Sequence, residues 1–284
     1  MKVLVLGVSG MLGSTIFKKY SNDAEIITYG TARNRSALNY FDKNCHQRII
    51  CNVDIDNDSS LIELFEKLNP DVVINCIGLV KQVSGVNDPL QAIAINAIFP
   101  HRIAALCKMV KARMIHISTD CVYSGREGNY VECDFADAND LYGRSKFLGE
   151  VDYPHAITLR TSIIGHELQG NRSLIDWFLS QNTPIKGYQK AFFSGLPTVE
   201  LARVIRDFVL PNPKLFGLFH ISVDSISKFD LLKIVANEYK KEIEIIPDDS
   251  LQIDRSLNSS KFRLATGFSP KSWLQLVAEM HAFK

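Results

Sequence analysis

Apolar residues in the first half of the chain fall into short continuous runs, separated by stretches in which they recur every three or four positions. The runs "KVLVLG" (2–7), "EIITYG" (25–30), "RIICNVD" (48–54), "DVVINCIG" (71–78), "ARMIHIST" (112–119) and "HAITLRTS" (155–162) predict six strands. Strands that are apolar throughout, instead of alternating, are buried on both faces. Between them, "MLGSTIFKKY" (11–20), "SSLIELFEKLN" (59–69) and "DPLQAIAINAIFPHRIAALCKMV" (88–110) have helical spacing. Serines open the second helix and Pro89 suits the first turn of the third. The segment carrying Tyr142 and Lys146 reads as a further helix, with Leu141, Phe147, Leu148 and Val151 expected to face the core. Strands that alternate with helices build a parallel sheet covered on both sides. After about residue 165 the pattern loosens into helices and short strands, with more Pro, Gly and Asn around 182–197 and 211–217.

Chemistry enters at the first strand–helix junction. "GVSGMLG" places Gly7, Gly10 and Gly13 where the chain must turn tightly and present a helix N-terminus to a phosphate. This context predicts dinucleotide binding. The expected fold class is therefore α/β: a Rossmann-type doubly wound sheet over 1–165 that binds NAD(P), and a smaller mixed α/β substrate domain over 166–284 that can interleave with it. An acid about 20 residues beyond the glycines usually holds the adenosine ribose of NAD. None stands between Glu25 and Asp42, where Thr31, Arg33 and Arg35 occur instead. A guanidinium grips a 2′-phosphate that a carboxylate repels, so NADP(H) is expected over NAD(H), which stays possible. Asp54, just past the third strand, either accepts from an adenine amino group or closes a strand-end turn.

"DLYGRSKFLGE" puts Tyr142 and Lys146 one helical turn apart on one face. A nearby ammonium favours phenolate, and a phenol tuned in this way exchanges protons with an alcohol or a carbonyl oxygen. Thr119 ends the fifth strand in "ISTDCVYSG", where parallel sheets place their ligand crevice. Glycine turn, strand-end hydroxyl and Tyr-x-x-x-Lys in that order point to an enzyme.

These residues, with "INAIFPHRIA", "NYVECD", "LRTSIIG", "GLPTVELA" (195–202), "GLFHIS" (217–222) and "DRSLNSSKF" (254–262), resemble the extended short-chain dehydrogenase/reductases. The nearer likeness is to the dTDP-4-dehydrorhamnose reductase family. The resemblance implies reduction of the C4 ketone of a nucleotide-linked 4-keto-6-deoxyhexose, catalysed by Thr119, Tyr142 and Lys146. It implies that Gly7, Gly10, Met11, Leu12 and Gly13 line the pyrophosphate turn, Asp54 and Ile55 the adenine, and Cys76, Ile77 and Gly78 the back of the cofactor. Lys81, Asn96, Ser118 and Thr161 complete the cofactor set. Asp120, Ser162, Arg255 and Lys261 fall to a sugar nucleotide held between the domains. Phe192 and Phe193, in "GYQKAFFSGLPT", replace the family's usual substrate loop. They either stack on a uracil or thymine ring or fill the core. This departure leaves dTDP- and UDP-linked sugars open, including a 2-acetamido-2,6-dideoxy-4-hexulose on the way to surface polysaccharide. The rival readings are an epimerase on the same scaffold and a non-catalytic nucleotide-binding subunit.

The totals narrow the partners. Across 284 residues the net charge is +1, with 32 basic and 31 acidic residues, so nothing favours nucleic acid or a membrane surface. Six scattered cysteines without a C-x-x-C pair read as reduced thiols of a cytoplasmic protein, and the seven histidines lack metal-ligand spacing. No metal is expected. The 211–217 segment and the final helix "KSWLQLVAEMHAFK" could form a homodimer contact.

Overall fold

The computed structural model describes residues 1–79 and 87–284. Two compact units interleave along the chain. Unit 1 is Met1–Ser118, Asp140–Leu159 and Asn212–Leu218; unit 2 is Thr119–Asn139, Arg160–Pro211 and Phe219–Lys284. Residue 165 falls inside the Arg160–Pro211 segment of unit 2.

The first half runs β1 (Lys2–Leu6), α1 (Met11–Ser21), β2 (Ile27–Ala32), β3 (Ile49–Cys51), α2 (Asp58–Leu68), β4 (Val72–Asn75), α3 (Pro89–Ala92), α4 (Phe99–Met109), β5 (Arg113–Thr119), α5 (Leu141–Leu148) and β6 (Ala156–Thr161). All six apolar runs contain strands. The second half follows with β7 (Ile163–Ile164), α6 (Leu174–Ser180), β8 (Ile185–Tyr188), β9 (Ala191–Phe193), β10 (Leu196–Pro197), α7 (Thr198–Val204), β11 (Gly217–His220), β12 (Ile226–Ser227), α8 (Lys228–Glu238), β13 (Ile245–Asp248), β14 (Ile253–Asp254), α9 (Ser260–Thr266) and α10 (Trp273–Ala282).

One seven-stranded sheet has the order β11-β6-β5-β4-β1-β2-β3. The pairs β1–β2, β1–β4, β2–β3 and β4–β5 are parallel. The order reverses between β1 and β4, the switch point at which such sheets open a crevice beyond their strand ends. Leu4, Leu6, Val73 and Met114 pack with Leu61 and Phe65 of α2 and with Phe99, Ile103 and Cys107 of α4. This packing covers one face of the sheet; Val3 and Val5, which alternate with Leu4 and Leu6, are buried as well, which is why β1 carries no polar alternation. By length and composition alone, Pro89–Met109 could cross a membrane. Its inner residues are instead part of this core.

Two local expectations are corrected. The helix over 88–110 forms, with Asp88 capping the Leu90 amide at 3.0 Å, but Ile93–Ile98 winds as a π turn. The wider turn brings Asn96 fully inside. Its Oδ1 there accepts from the Leu79 amide at 2.8 Å and its Nδ2 donates to Ser145 Oγ at 3.2 Å, bonds that favour the irregular turn. On α5, Phe147 and Leu148 do not face the core; they are 43% and 61% exposed. The helix buries Gly143, Ser145 and Lys146 instead. Its polar face points inward because that face finds partners there.

Candidate active site

The glycine turn is built as its sequence requires. Gly7 has φ +85°, and a Cβ there would lie 2.9 Å from Ile77 Cγ1. A Cβ on Gly13 would lie 2.2 Å from the Gly7 carbonyl oxygen, so only glycine lets α1 pack this closely on β1. Helix α1 starts at Gly10 without a side-chain cap or an acid in its first turn. Its positive end is thus left for an anion, and the cradle fits a dinucleotide pyrophosphate. Met11 is half-buried and Leu12 buried beside it. Thr31 is buried, and its hydroxyl accepts from the Gly7 amide at 3.2 Å, so this residue holds the turn itself. Arg33 and Arg35 are exposed just beyond β2. Asp54 is exposed and accepts from the Asp56 amide at 3.0 Å, closing a local turn. Ile55 packs against the core. Lys81 lies outside the described residues.

Around β4 and α5, unit 1 assembles a buried polar nest. Lys146 is 5% exposed, and its Nζ donates to the Ile117 carbonyl at 2.9 Å. Burial lowers its pKa to about 8, opposed by the charges of Glu150 and Cys76. Burial also pushes the Cys76 thiol up to about 12. A Cβ on Gly78 would sit 3.4 Å from Asn96 Oδ1 and 3.7 Å from Lys146 Nζ, so Gly78, Asn96 and Lys146 share one surface. Ser118 donates to Glu150 at 2.7 Å. Tyr142 is half-buried on the same helix, and its carbonyl accepts from Ser145 Oγ at 3.0 Å. His116 is fully buried and held neutral by burial and by the Lys146 and His101 charges.

Sequence reasoning assigned no role to Glu150, Ser145 or Gly149. A Cβ on Gly149 would fall 1.9 Å from the Asn96 carbonyl oxygen, so this glycine lets the end of α5 reach the π turn. The signal was present: Glu150 lies four residues beyond Lys146, just past the C-terminal end of α5.

Unit 2 holds a second set of candidates. The Thr119 hydroxyl donates to Asp120 Oδ1 at 3.1 Å and accepts from the Cys121 amide at 3.1 Å. Asp120 is buried and its carboxyl pKa is raised, chiefly by burial, against the Arg255 charge and bonds from Cys121, Thr119 and Ser162. Arg255 Nε donates to the Tyr123 carbonyl at 2.8 Å. Thr161 is buried, its hydroxyl donating to the Ser162 carbonyl at 3.2 Å. Phe192 is 39% exposed, whereas Phe193 is buried against Trp273 with ring centres 5.6 Å apart. Lys261 lies over the Phe219 ring at 4.4 Å.

Fold and site together define a doubly wound, Rossmann-type α/β protein with a buried lysine close to the carboxyl end of β5. The chain belongs to the family described as RmlD substrate binding domain, whose model matches residues 1–282. It is 31% identical over 169 residues to the probable low-salt glycan biosynthesis reductase Agl14 of Haloferax volcanii. That match spans 58% of this chain and 54% of the relative, about half of each. Identity to methionine adenosyltransferase 2 subunit beta of Danio rerio is 28% over 255 residues, 84% of this chain and 74% of that one. The crystal structure of dTDP-4-dehydrorhamnose reductase from Bacillus anthracis in complex with NADP superposes with a TM-score of 0.81 at 22% identity. The superposition covers 100% of this chain and 98% of that one, and it shows the same fold.

Proposed function

We propose that the protein is an NADPH-dependent reductase of the C4 ketone of a nucleotide-linked 4-keto-6-deoxyhexose, dTDP- or UDP-linked, serving deoxysugar or surface-glycan synthesis in the cytoplasm. The carrying observation is Lys146, a buried amine anchored to the Ile117 carbonyl and placed one helical turn from Tyr142. Support comes from the Haloferax relative, named a glycan biosynthesis reductase, and from the Bacillus structure, which holds NADP. When bound, NADPH supplies the hydride that ends on C4 of the sugar. Tyr142 gives its proton to the ketone oxygen, so one hydride and one proton turn the ketone into an alcohol. Lys146 draws charge toward the phenol oxygen and holds the nicotinamide ribose. Thr119 hydrogen-bonds the same ketone oxygen. Gly7, Gly10 and the start of α1 seat the pyrophosphate, and Arg33 and Arg35 meet the 2′-phosphate, which favours NADPH over NADH. Asp120, Ser162, Arg255 and Lys261 serve the sugar nucleotide, with Phe192 at its base.

A second reading, a non-catalytic subunit, is favoured by the Danio relative, whose name is that of a subunit and whose match covers most of this chain. One assay separates the two. The protein is mixed with NADPH and a panel of dTDP-, UDP- and GDP-4-keto-6-deoxy sugars, and cofactor absorbance is followed. Stoichiometric oxidation supports the reductase. Conversion without net oxidation indicates an epimerase, and binding without conversion indicates the subunit.

A further inference from the structure

A threonine hydroxyl carries one proton. That of Thr119 is directed to Asp120 Oδ1, while its oxygen accepts from the Cys121 amide. A ketone oxygen only accepts hydrogen bonds, so Thr119 serves it only if the proton turns away from Asp120. The carboxyl group therefore competes with the substrate for that proton. As a carboxylate, Asp120 attracts it strongly; as a neutral acid, Asp120 donates its own proton and leaves that of Thr119 free.

The surroundings pull this carboxyl in opposite directions. Asp120 is 8% exposed, and burial disfavours its charged form. The bonds from Thr119, Cys121 and Ser162 and the charge of Arg255 act the other way. Among the described residues, Arg255 and Cys121 are the titratable groups that act on it. Arg255 is held firmly. Its Nε is fixed to the Tyr123 carbonyl, and its Cγ lies 2.9 Å from where a Cβ on Gly125 would stand. Gly125 has φ +86°, a conformation suited to glycine, so the turn leaves room for the arginine stem. With Nε occupied, the two terminal nitrogens of the guanidinium remain to meet an anion.

We propose that Asp120 is a positioning residue that sets the direction of the Thr119 hydroxyl proton, and that an anion drawn to Arg255, the diphosphate of a nucleoside diphosphate, reverses that direction. The proposal rests on the reductase reading for its purpose, but its proton linkage is independent of turnover. An anion on Arg255 cancels the charge that favours the Asp120 carboxylate. Asp120 is then protonated from solvent in a larger share of molecules, and in those the Thr119 proton is released to the ketone oxygen. Nothing is oxidised or reduced in this step.

The test is calorimetric titration of the whole protein with dTDP and with UDP, without cofactor, in buffers of different ionisation enthalpy. Wild type is expected to take up a fraction of a proton per nucleotide bound. Asp120→Asn, nearly the same in shape but unable to titrate, is expected to bind with no uptake. Arg255→Met is expected to bind at least about tenfold more weakly, having lost a charge-assisted pair. Binding without uptake, uptake that survives Asp120→Asn, or failure of both nucleotides to bind overturns the proposal. Proton uptake in a protein that oxidises NADPH with no sugar of the panel would leave the linkage standing and overturn the reductase reading instead.

Discussion

Two buried polar clusters, one in each unit, look alike by charge and differ in what they leave unfinished. In unit 1, burial lowers Lys146 to about 8; in unit 2, burial and the Arg160 charge lower His220 to about 3. Around His220 the hydrogen bonding closes on itself. Arg160 donates to Tyr123 Oη at 2.6 Å, and Tyr123 Oη lies 3.2 Å from His220 Nε2 and donates to the Val131 carbonyl at 2.9 Å. His220 Nδ1 is 3.0 Å from the Tyr130 carbonyl, and the Tyr123 and Tyr130 rings stack at 4.1 Å. Around Lys146, three N–H donors meet one acceptor among the described residues, the Ile117 carbonyl. A strongly shifted group therefore does not by itself mark a site. Donors left over for a ligand do, and by that measure the lysine nest supports the proposed chemical site, whereas the His220 cluster reads as scaffold.

The largest expected effects would break that contrast outright. Tyr142→Phe should lower kcat by about 10²–10⁴-fold while NADPH affinity stays nearly unchanged, read by steady-state kinetics and cofactor titration. Loss of cofactor binding as the main defect would mean its role is misread. Lys146→Met should lower kcat comparably but make the fold more stable. A lysine whose folded pKa lies below its unfolded value destabilises the protein fully below pH 8, and the penalty fades as pH rises from about 8 to about 10.5. Removing the amine should therefore add roughly 1–3 kcal/mol at pH 7, measured by denaturant unfolding. Equal or lower stability would show that the lysine is better satisfied than its surroundings suggest.

The His220 cluster should behave in the opposite way. Tyr123→Phe deprives Arg160 and His220 of a buried partner and should lower stability by roughly 1–3 kcal/mol, with turnover per folded molecule retained. His220 contributes to the acid sensitivity, as does His116, whose pKa burial also lowers. Because the folded pKa of His220 is lowered, the unfolded chain binds the extra proton, so stability falls as pH drops from about 6.5 toward about 3. His220→Gln should flatten that fall in urea midpoints measured across the window. An unchanged slope would assign the acid sensitivity elsewhere.

The sequence showed the sheet more fully than the site. Unbroken apolar runs such as "KVLVLG" are best read as buried strands, and β1 is buried from Val3 to Leu6. The glycine turn was equally legible, since positive φ and close packing leave marks that no other residue can supply. Helix α5 misled because its inner face is polar. Phe147 and Leu148 advertised an apolar side, yet the helix is held by Ser145, Lys146 and the contact at Gly149, none of which periodicity weighs. The π turn was hidden for the same reason: Asn96 pulls the helix out of register through bonds to Leu79 and Ser145, residues distant in sequence. Thr31 reads as a ligand residue from its position, and the structure adds a second role, since its hydroxyl accepts from the Gly7 amide while keeping its own proton to donate.

The smallest effect sharpens the comparison most, because it tunes the nest without emptying it. Glu150 raises the Lys146 pKa by its charge and accepts from Ser118 at 2.7 Å. Glu150→Gln keeps an oxygen for Ser118 but removes the charge, so the lysine should lose its proton more easily. If the ammonium is the working form, kcat/KM of the wild type falls as pH rises through about 8. The variant should show the same fall displaced to lower pH by about half a unit to one unit, with no more than about a threefold loss at pH 7. A profile that does not move would mean either that Glu150 is paired elsewhere when ligands bind or that the alkaline limb belongs to another group; repeating the measurement on Lys146→Arg, which stays charged throughout, separates the two. Nothing comparable is expected around His220, where every charge near the imidazole already has its partner and no change at the rim should reach the rate.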